Sequence, residues 1–242
     1  MTNLSVNINK VALIRNARGS DLPNVGQFAV DCESYGAHGI TVHPRPDQRH
    51  VRFDDIPVLS KLVQTELNIE GFPNDSFMFL IEKNRPTQCT LVPDPPDALT
   101  SNTGWNVIKE KSFLEDVISQ CHSWGIRVSI FVNPISKMCE EAKKINADRI
   151  EFYTGPYAHQ YMSNPPLAIQ PYYDAAKTCD LLGLDINAGH DLNLLNLSYF
   201  IQQIPSTKEV SIGHALISDA LYYGIKNTIQ MYLSKLDTLH IP

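Results

Sequence analysis

The sequence predicts an α/β protein, a single (β/α)8 TIM barrel over residues 1–242, and three observations predict it. Short apolar runs rich in β-branched residues recur eight times along the chain, spaced on average about 30 residues apart, the size of one βα unit. Most of these runs lead into a helical pattern with its own start and stop signals. Polar and ionisable residues gather where the runs end, and a parallel barrel keeps its chemistry at that end. A doubly wound open sheet uses a similar alternation, but no GxGxxG follows the first run.

In order, the strands are read as LSVNI from Leu4, GITVH from Gly39, ELNIEG from Glu66, QCTLVP from Gln88, IRVSIFV from Ile126, RIEFYTG from Arg149, LDINAG from Leu184 and EVSIGHA from Glu209. Runs so short, with apolar residues at nearly every position, suit strands buried on both faces. Between them, FDDIPVLSKLVQT starts a helix with paired Asp in its first turn, where the dipole favours negative charge. VIKEKSFLEDVISQCHSWG ends on Gly125, a natural residue just past a helix. SKMCEEAKKINA and PYYDAAKTCDLLG follow the same pattern, the second closing on Gly183. DLNLLNLSYFIQQIP opens with Asp191 as a capping candidate, and SDALYYGIKNTIQMYLSKL opens with Ser218 and Asp219. No low-complexity linker or composition break divides the chain, so one domain is expected.

Composition narrows the function classes. Hydrophobic residues make up 43% and charged residues 19% of the 242, ample for a buried core and unlike a disordered chain. The formal charge is −6, so no basic excess is present to bind nucleic acid, and any phosphate must be held by a few placed cations. Mean hydropathy is −0.18, and no apolar run approaches a membrane span. The N-terminal segment lacks the basic region, apolar core and cleavage site of a signal peptide. Five cysteines without a CxxC pair argue against a disulfide framework or thiolate metal site and are read as buried thiols. A cytoplasmic enzyme is expected.

The strand ends supply the candidate chemistry. The first strand carries Asn7 and Asn9, then Lys10, and the loop after it is read as holding Arg15, Asn16 and Arg18. The second ends at His43, with Arg45, Asp47, Arg49 and His50 close behind. Glu70 lies in the third strand, and the fourth leads into the Pro-rich VPDPPDALTSNTG with Thr100, read as a lid. Glu151 lies in the sixth, Asn187, Gly189 and His190 in or after the seventh, and Gly213 and His214 after the eighth. A semi-buried carboxylate such as Glu70 has its pKa raised toward that of a useful base. It also reads as a barrel-lining group paired with a lysine. Gly189 before His190 is read as letting the backbone approach a ligand. His38, His122 and His159 are read as ordinary residues of a turn, a helix and a loop. Arg45, Arg49 and His50 suit one phosphate, and GHAL at a helix start suits another. Two anion sites imply either two phosphorylated substrates or one bisphosphate. No HxH or HExxH spacing suggests a metal.

The segments NINKVALIRNARG, GITVHPRPDQRH, LNIEG, RIEFYTG, NAGHDL and IGHALI, in that order, resemble the pyridoxine 5′-phosphate synthase family of vitamin B6 biosynthesis over nearly the entire chain. The resemblance implies a (β/α)8 barrel with additional helices, assembled as a homo-octamer. It implies condensation of 1-deoxy-D-xylulose 5-phosphate with 3-amino-2-oxopropyl phosphate to pyridoxine 5′-phosphate, phosphate and water, with no metal or organic cofactor. By the same resemblance His43 and Glu70 are acid/base residues, His190 the proton donor and Glu151 a transition-state stabiliser. Asn7, Arg18, Gly213 and His214 correspond to contacts with the aminoketone phosphate, and Arg45, His50 and Thr100 to contacts with the sugar phosphate. Two positions depart from the family. Asn9-Lys10 stands where Asp-His is common, and Asp191 where a glycine is common; both places correspond to substrate contacts. Another sugar-phosphate barrel enzyme, such as an aldolase or isomerase, and a weakened barrel that only binds phosphometabolites are the competing readings. A Schiff-base aldolase needs a strand-borne Lys, and none of the eight runs offers one.

Overall fold

A computed structural model describes residues 2–94 and 102–237. In chain order the elements are β1 (Asn3–Asn7), α1 (Asn9–Asn16), α2 (Val25–Ser34), β2 (Gly39–Val42), α3 (Asp55–Leu62), β3 (Glu66–Gly71), α4 (Asp75–Asn84), β4 (Gln88–Leu91), α5 (Lys111–Ser123), β5 (Arg127–Val132), α6 (Ser136–Lys144), β6 (Arg149–Phe152), α7 (Gly155–Tyr161), α8 (Pro165–Leu182), β7 (Asp185–Gly189), α9 (Leu197–Gln203), β8 (Thr207–Ile212), α10 (His214–Tyr223) and α11 (Ile225–Leu236). Each strand pairs in parallel with the next and β8 returns to β1, closing the barrel. The units that begin with β1, β6 and β8 each carry two helices, which supplies the additional helices beyond a minimal barrel.

The strands are buried on both faces, as expected, but the two faces differ in kind. Leu4, Val6, Ile40, Val42, Ile69, Ile130, Ile150 and Ile212 pack outward under the helices and form the core. Most of the alternate positions point inward and are polar, Phe131 of β5 being an apolar exception. Ser5 Oγ meets Thr41 Oγ1 at 2.7 Å, and Thr90 donates to Asn68 at 3.0 Å. Arg149 of β6 reaches Gln88 of β4 at 3.4 Å, a contact between non-adjacent strands that only the barrel interior permits. The inner surface is thus a column of polar side chains, with the floor at the strands' amino ends and the mouth at their carboxyl ends.

Several local expectations are corrected. Asn9–Asn16 is helix α1, not strand end and loop, because the helix starts two residues after β1 and its signals merge with those of the strand. Arg15 and Asn16 therefore sit in its last turn. Asp191 caps no helix. The side chains of Asn193 and Asn196 hold a turn there, Asn193 accepting from Leu195 N at 2.9 Å and Asn196 from Asn193 N at 2.8 Å, so α9 begins only at Leu197. The last helical stretch starts at His214 rather than Ser218 and is split at Gly224, whose φ of +74° no helix accommodates. His159 lies on α7 rather than in a loop. Helices α2 and α4 go unread in the sequence although each has an Asn cap, Asn24 accepting from Gln27 N at 2.7 Å and Asn74 from Phe77 N at 2.9 Å. Gly125 ends α5 with φ +75° and Gly183 ends α8 with φ +58°, as read. Gly189 has a reason other than ligand approach: a Cβ there would lie 2.2 Å from the Ser211 carbonyl oxygen of β8.

Candidate active site

The inward alternation of β3 and β6 carries Glu70 and Glu151 to the mouth, and the chain just past β2 and β7 adds His43 and His190. Glu70 Oε2 lies 3.9 Å from His43 Nδ1 and accepts from Asn7 Nδ2 at 3.4 Å. Asn7, the last residue of β1, accepts from Asn9 N at 3.1 Å. Asn9 in turn accepts from the His43 backbone N–H at 2.9 Å. The Asn9 side chain therefore fixes the strand exit that presents His43. Glu151 is buried, and among the described residues its Oε2 has no hydrogen-bond partner. His190 Nδ1 lies 2.7 Å from Asp191 Oδ2.

These surroundings set the protonation states. Burial, with the charges of Asp94 and Glu209 behind it and Arg45 opposing, pushes Glu70 up to about 8. Burial and then the charge of Glu70 push Glu151 up to about 8, with His190 opposing. The two carboxyls titrate as a pair. Burial first, then Arg45, His50, Arg49 and His190, hold His43 well below the ordinary histidine value. The His43–Glu70 contact is accordingly a meeting of two neutral groups near pH 7, not an ion pair. His190 goes the other way. Burial pulls it down, but the Asp191 hydrogen bond and charge, with Glu151 and Asp94, outweigh that and leave it raised. The mouth therefore offers a neutral imidazole that accepts a proton and a second imidazole that favours holding one.

The loop after β2 supplies cations. Arg45 is buried and bonds Asp94 at 2.6 Å. His50 is buried, accepts from Val51 N at 3.0 Å and is pushed down to about 4 by burial, then by Arg45, Arg49 and Lys10, against Asp47. Lys10 is half-buried in the first turn of α1. On the opposite side of β1, Gly213 precedes α10, has no side chain to cap it, and sits so close to Asn7 that a Cβ would lie 3.1 Å from that side chain. The first-turn N–H groups of α10, beginning with His214, thus stand uncapped at the mouth.

Of the residues read from the sequence, the structure gathers His43, Glu70, Glu151, His190, Asn7, Asn9, Lys10, Arg45, His50, Asp191, Gly213 and His214 around one opening. Arg18 is exposed beyond α1, and among the described residues no hydrogen bond or ion pair joins its guanidinium to that group. Thr100 and most of the expected lid lie outside the described residues. Sequence reading passed over Asp94, which stands three residues past β4 and anchors Arg45. It also left unassigned Tyr153, whose ring lies 6.1 Å from that of His190. The signal for both was their place just past a strand end. Among the described residues no cluster of three or more His, Cys, Asp or Glu is arranged to hold a metal ion.

The family described as pyridoxal phosphate biosynthesis protein PdxJ matches residues 4–238 of this chain. A pyridoxine 5′-phosphate synthase of Cytophaga hutchinsonii is 56% identical over 236 residues, covering 98% of this chain and 99% of the relative. One of Bacteroides thetaiotaomicron is 56% identical over 232 residues, covering 96% and 98%. Among solved structures, a phosphoribosylanthranilate isomerase from Thermotoga maritima superposes with a TM-score of 0.59 at 13% identity, covering 99% of this chain and 100% of that one. A thiamine phosphate pyrophosphorylase from Pyrococcus furiosus gives a TM-score of 0.62 at 8% identity, covering 98% and 95%. At such identities these two speak for the barrel fold alone.

Proposed function

This chain belongs to the PdxJ family of pyridoxal phosphate biosynthesis proteins, and from that premise we infer that it is a pyridoxine 5′-phosphate synthase. It condenses 1-deoxy-D-xylulose 5-phosphate with 3-amino-2-oxopropyl phosphate, releasing phosphate and water. The observation that carries the assignment of the work to particular residues is the meeting of Glu70, His43, Glu151 and His190 in one mouth, two as protonated carboxyls and two as imidazoles of opposite leaning.

Joining the amine to the ketone forms a carbon–nitrogen bond and expels the carbonyl oxygen as water. That step needs a proton taken from nitrogen and one given to the departing hydroxyl. Loss of phosphate, loss of further water and ring closure each need a proton removed from carbon or delivered to oxygen. In our reading neutral His43 takes protons, with Glu70 beside it as the partner that passes them on. His190 delivers protons to leaving oxygens. Glu151, protonated and unpartnered, donates a hydrogen bond to charge that develops in the transition state. Arg45 and His50 hold the sugar phosphate. Asn7, Gly213 and His214, with the start of α10, hold the aminoketone phosphate, and Arg18, Lys10 and Thr100 complete these contacts. Holding two small reactants in register supplies a large part of the acceleration. No organic cofactor or metal enters this scheme.

We further propose one barrel domain over residues 1–242, a homo-oligomer, an octamer by the family resemblance, and a cytoplasmic location. Leu13 and Ile14 of α1 lie exposed beside α10, where Leu221, Tyr222 and Tyr223 are also exposed, an apolar surface that suits a second copy. The five cysteines are free and buried, as a reducing compartment allows. Among the described residues no helix is long and apolar enough to cross a membrane.

The test is to incubate the purified protein with both substrates and follow pyridine absorbance together with released phosphate. Equal rates of the two signals are expected. Consumption of either substrate alone, or saturable binding without turnover, would overturn the reading.

A further inference from the structure

We infer that Asp191 is a positioning residue for proton delivery: its carboxylate orients the His190 ring and keeps that ring a proton donor. The inference rests on the proposed role of His190. Where the family resemblance places a glycine, this chain puts a carboxylate whose Oδ2 lies 2.7 Å from His190 Nδ1. A glycine has neither the bond nor the charge.

Both residues are held by their surroundings. The His190 backbone N–H donates to the Ser211 carbonyl of β8 at 3.1 Å, and its φ of +54° places it in the left-handed region that few non-glycine residues occupy. Such backbones persist only where neighbours over-determine them. Here the neighbours are visible. Asp191 N donates to the buried Thr154 hydroxyl at 3.3 Å, and that hydroxyl itself donates to the Gly189 carbonyl. The Asp191 carbonyl accepts from Asn196 Nδ2 at 3.3 Å and Asn193 Nδ2 at 3.5 Å. The frame thus reaches from the ends of β6, β7 and β8 to the turn before α9.

The charged and titratable groups facing His190 are few. Asp191 touches it, Glu151 comes from β6, Asp94 from the end of β4, His43 from the end of β2, and the Tyr153 ring stands 6.1 Å away. Glu151 is pushed up to about 8 and so is largely neutral near pH 7, and Asp94 is engaged with Arg45 at 2.6 Å. Among the described residues, Asp191 is a carboxylate in direct contact with the ring. Its bond to His190 also answers an electrostatic problem. A bare carboxylate at a mouth that takes two phosphorylated substrates repels them, whereas one bonded to an imidazolium does not.

Asp191→Asn keeps the shape and removes the charge, and Asp191→Gly removes both. With folding checked by circular dichroism, we expect kcat to fall about tenfold or more in Asp191→Asn and further in Asp191→Gly, a fraction of what general acid catalysis supplies. KM for each substrate should change by less than kcat does, since Asp191 acts on turnover through His190 while its position also corresponds to a substrate contact. The alkaline limb of the kcat profile should move to lower pH in both variants. The His190 imidazole resonance, assigned by its loss in His190→Gln, should titrate at lower pH as well. An unchanged His190 titration in both Asp191 variants, or a raised KM with kcat intact, would overturn the inference. The parent reading fails separately. If His190→Gln retains near wild-type kcat, His190 is not the donor, and the resonance of His190 in the Asp191 variants still decides the pairing.

Discussion

Glu66 and Glu70 stand on the same strand, both turned into the barrel, at its floor and its mouth. At the floor, Glu66 is clamped by the Arg127 guanidinium, with Arg149 at 3.8 Å. Arg127 and Arg149 also share Gln88 Oε1, at 2.9 and 3.4 Å. Glu209 completes that cluster, its carboxyl raised well above the usual carboxylate range by burial and then by the charge and hydrogen bond of Glu66. At the mouth, Glu70 meets, among the described residues, an amide at 3.4 Å and a neutral imidazole at 3.9 Å. The two sites bury similar groups in the same column and differ in whether a cation arrives. The paired carboxylate is structural. One denied a cation is driven to hold its proton, and so becomes able to exchange it.

The sharpest way to break the comparison is to remove the same charge at both ends. Glu70→Gln should lower kcat by about 10²–10⁴, the range for an acid/base group, with no loss of Tm. Glu66→Gln should leave kcat within about threefold but take the carboxylate from two guanidinium groups that keep Gln88 as an acceptor, at a stability cost of about 2–3 kcal/mol after allowance for the partial exposure of Arg127. Turnover and thermal melts of the two variants side by side decide it. Equal losses of kcat would erase the distinction between floor and mouth.

The second effect is smaller and concerns pH. Glu151 has a folded pKa of about 8 against an ordinary 4.5. A raised carboxyl pKa means that the unfolded chain sheds its proton first. The stability due to the neutral carboxyl is fully present below about pH 4.5 and is lost as pH rises toward about 8. Glu151→Gln, which cannot ionise, should therefore raise Tm by about 4–8 °C at pH 8, equivalent to about 2 kcal/mol, and leave Tm unchanged near pH 4. A melt series from about pH 4 to about pH 9 spans both ends of that window and reads the effect out. An equal shift at every pH would mean that the introduced amide packs better, not that a charge is relieved.

The sequence announced the barrel because strands buried on both faces leave short, dense β-branched runs at regular intervals, and all eight strands fall where those runs are. The mouth was legible for a related reason. His43, His190 and Gly213 sit just past strand ends, where sequence position alone fixes the end of the barrel. Pairing was not legible. Glu66 and Glu70 share residue type and alternation, and the cation that separates them comes from β5 across the barrel, a matter of register and closure. The expected lysine partner for a lining carboxylate exists as an arginine, at Glu66 rather than Glu70. Asp191 read as a helix cap because an Asp before an apolar run is a common start signal, and only the Asn193–Asn196 turn shows why that helix starts later. Arg15 and Asn16 read as loop cations and polar groups, and the fold uses them to hold another loop.

That last point carries the smallest prediction. Asn16 Nδ2 lies 2.7 Å from the His50 carbonyl and 3.0 Å from that of Arg49, and so ties α1 to the loop bearing Arg45 and His50. Arg15 makes a second tie, bonding both Asp55 oxygens at 2.6 and 2.9 Å and the His50 carbonyl at 3.3 Å. Asn16→Ala removes one of two ties, so the loop loosens by about 1 kcal/mol rather than coming free. KM for the sugar phosphate should rise about three- to tenfold with kcat nearly unchanged. KM for the aminoketone phosphate, whose proposed contacts lie at β1 and α10 and at Arg18 past the end of α1, should move less. Steady-state kinetics with each substrate varied in turn separates the cases. A fall in kcat at constant KM would place the Asn16 tie in the support of the mouth itself, since its backbone partner His50 follows His43 in the same loop and disturbance there would reach the acid/base pair before it reached the phosphate.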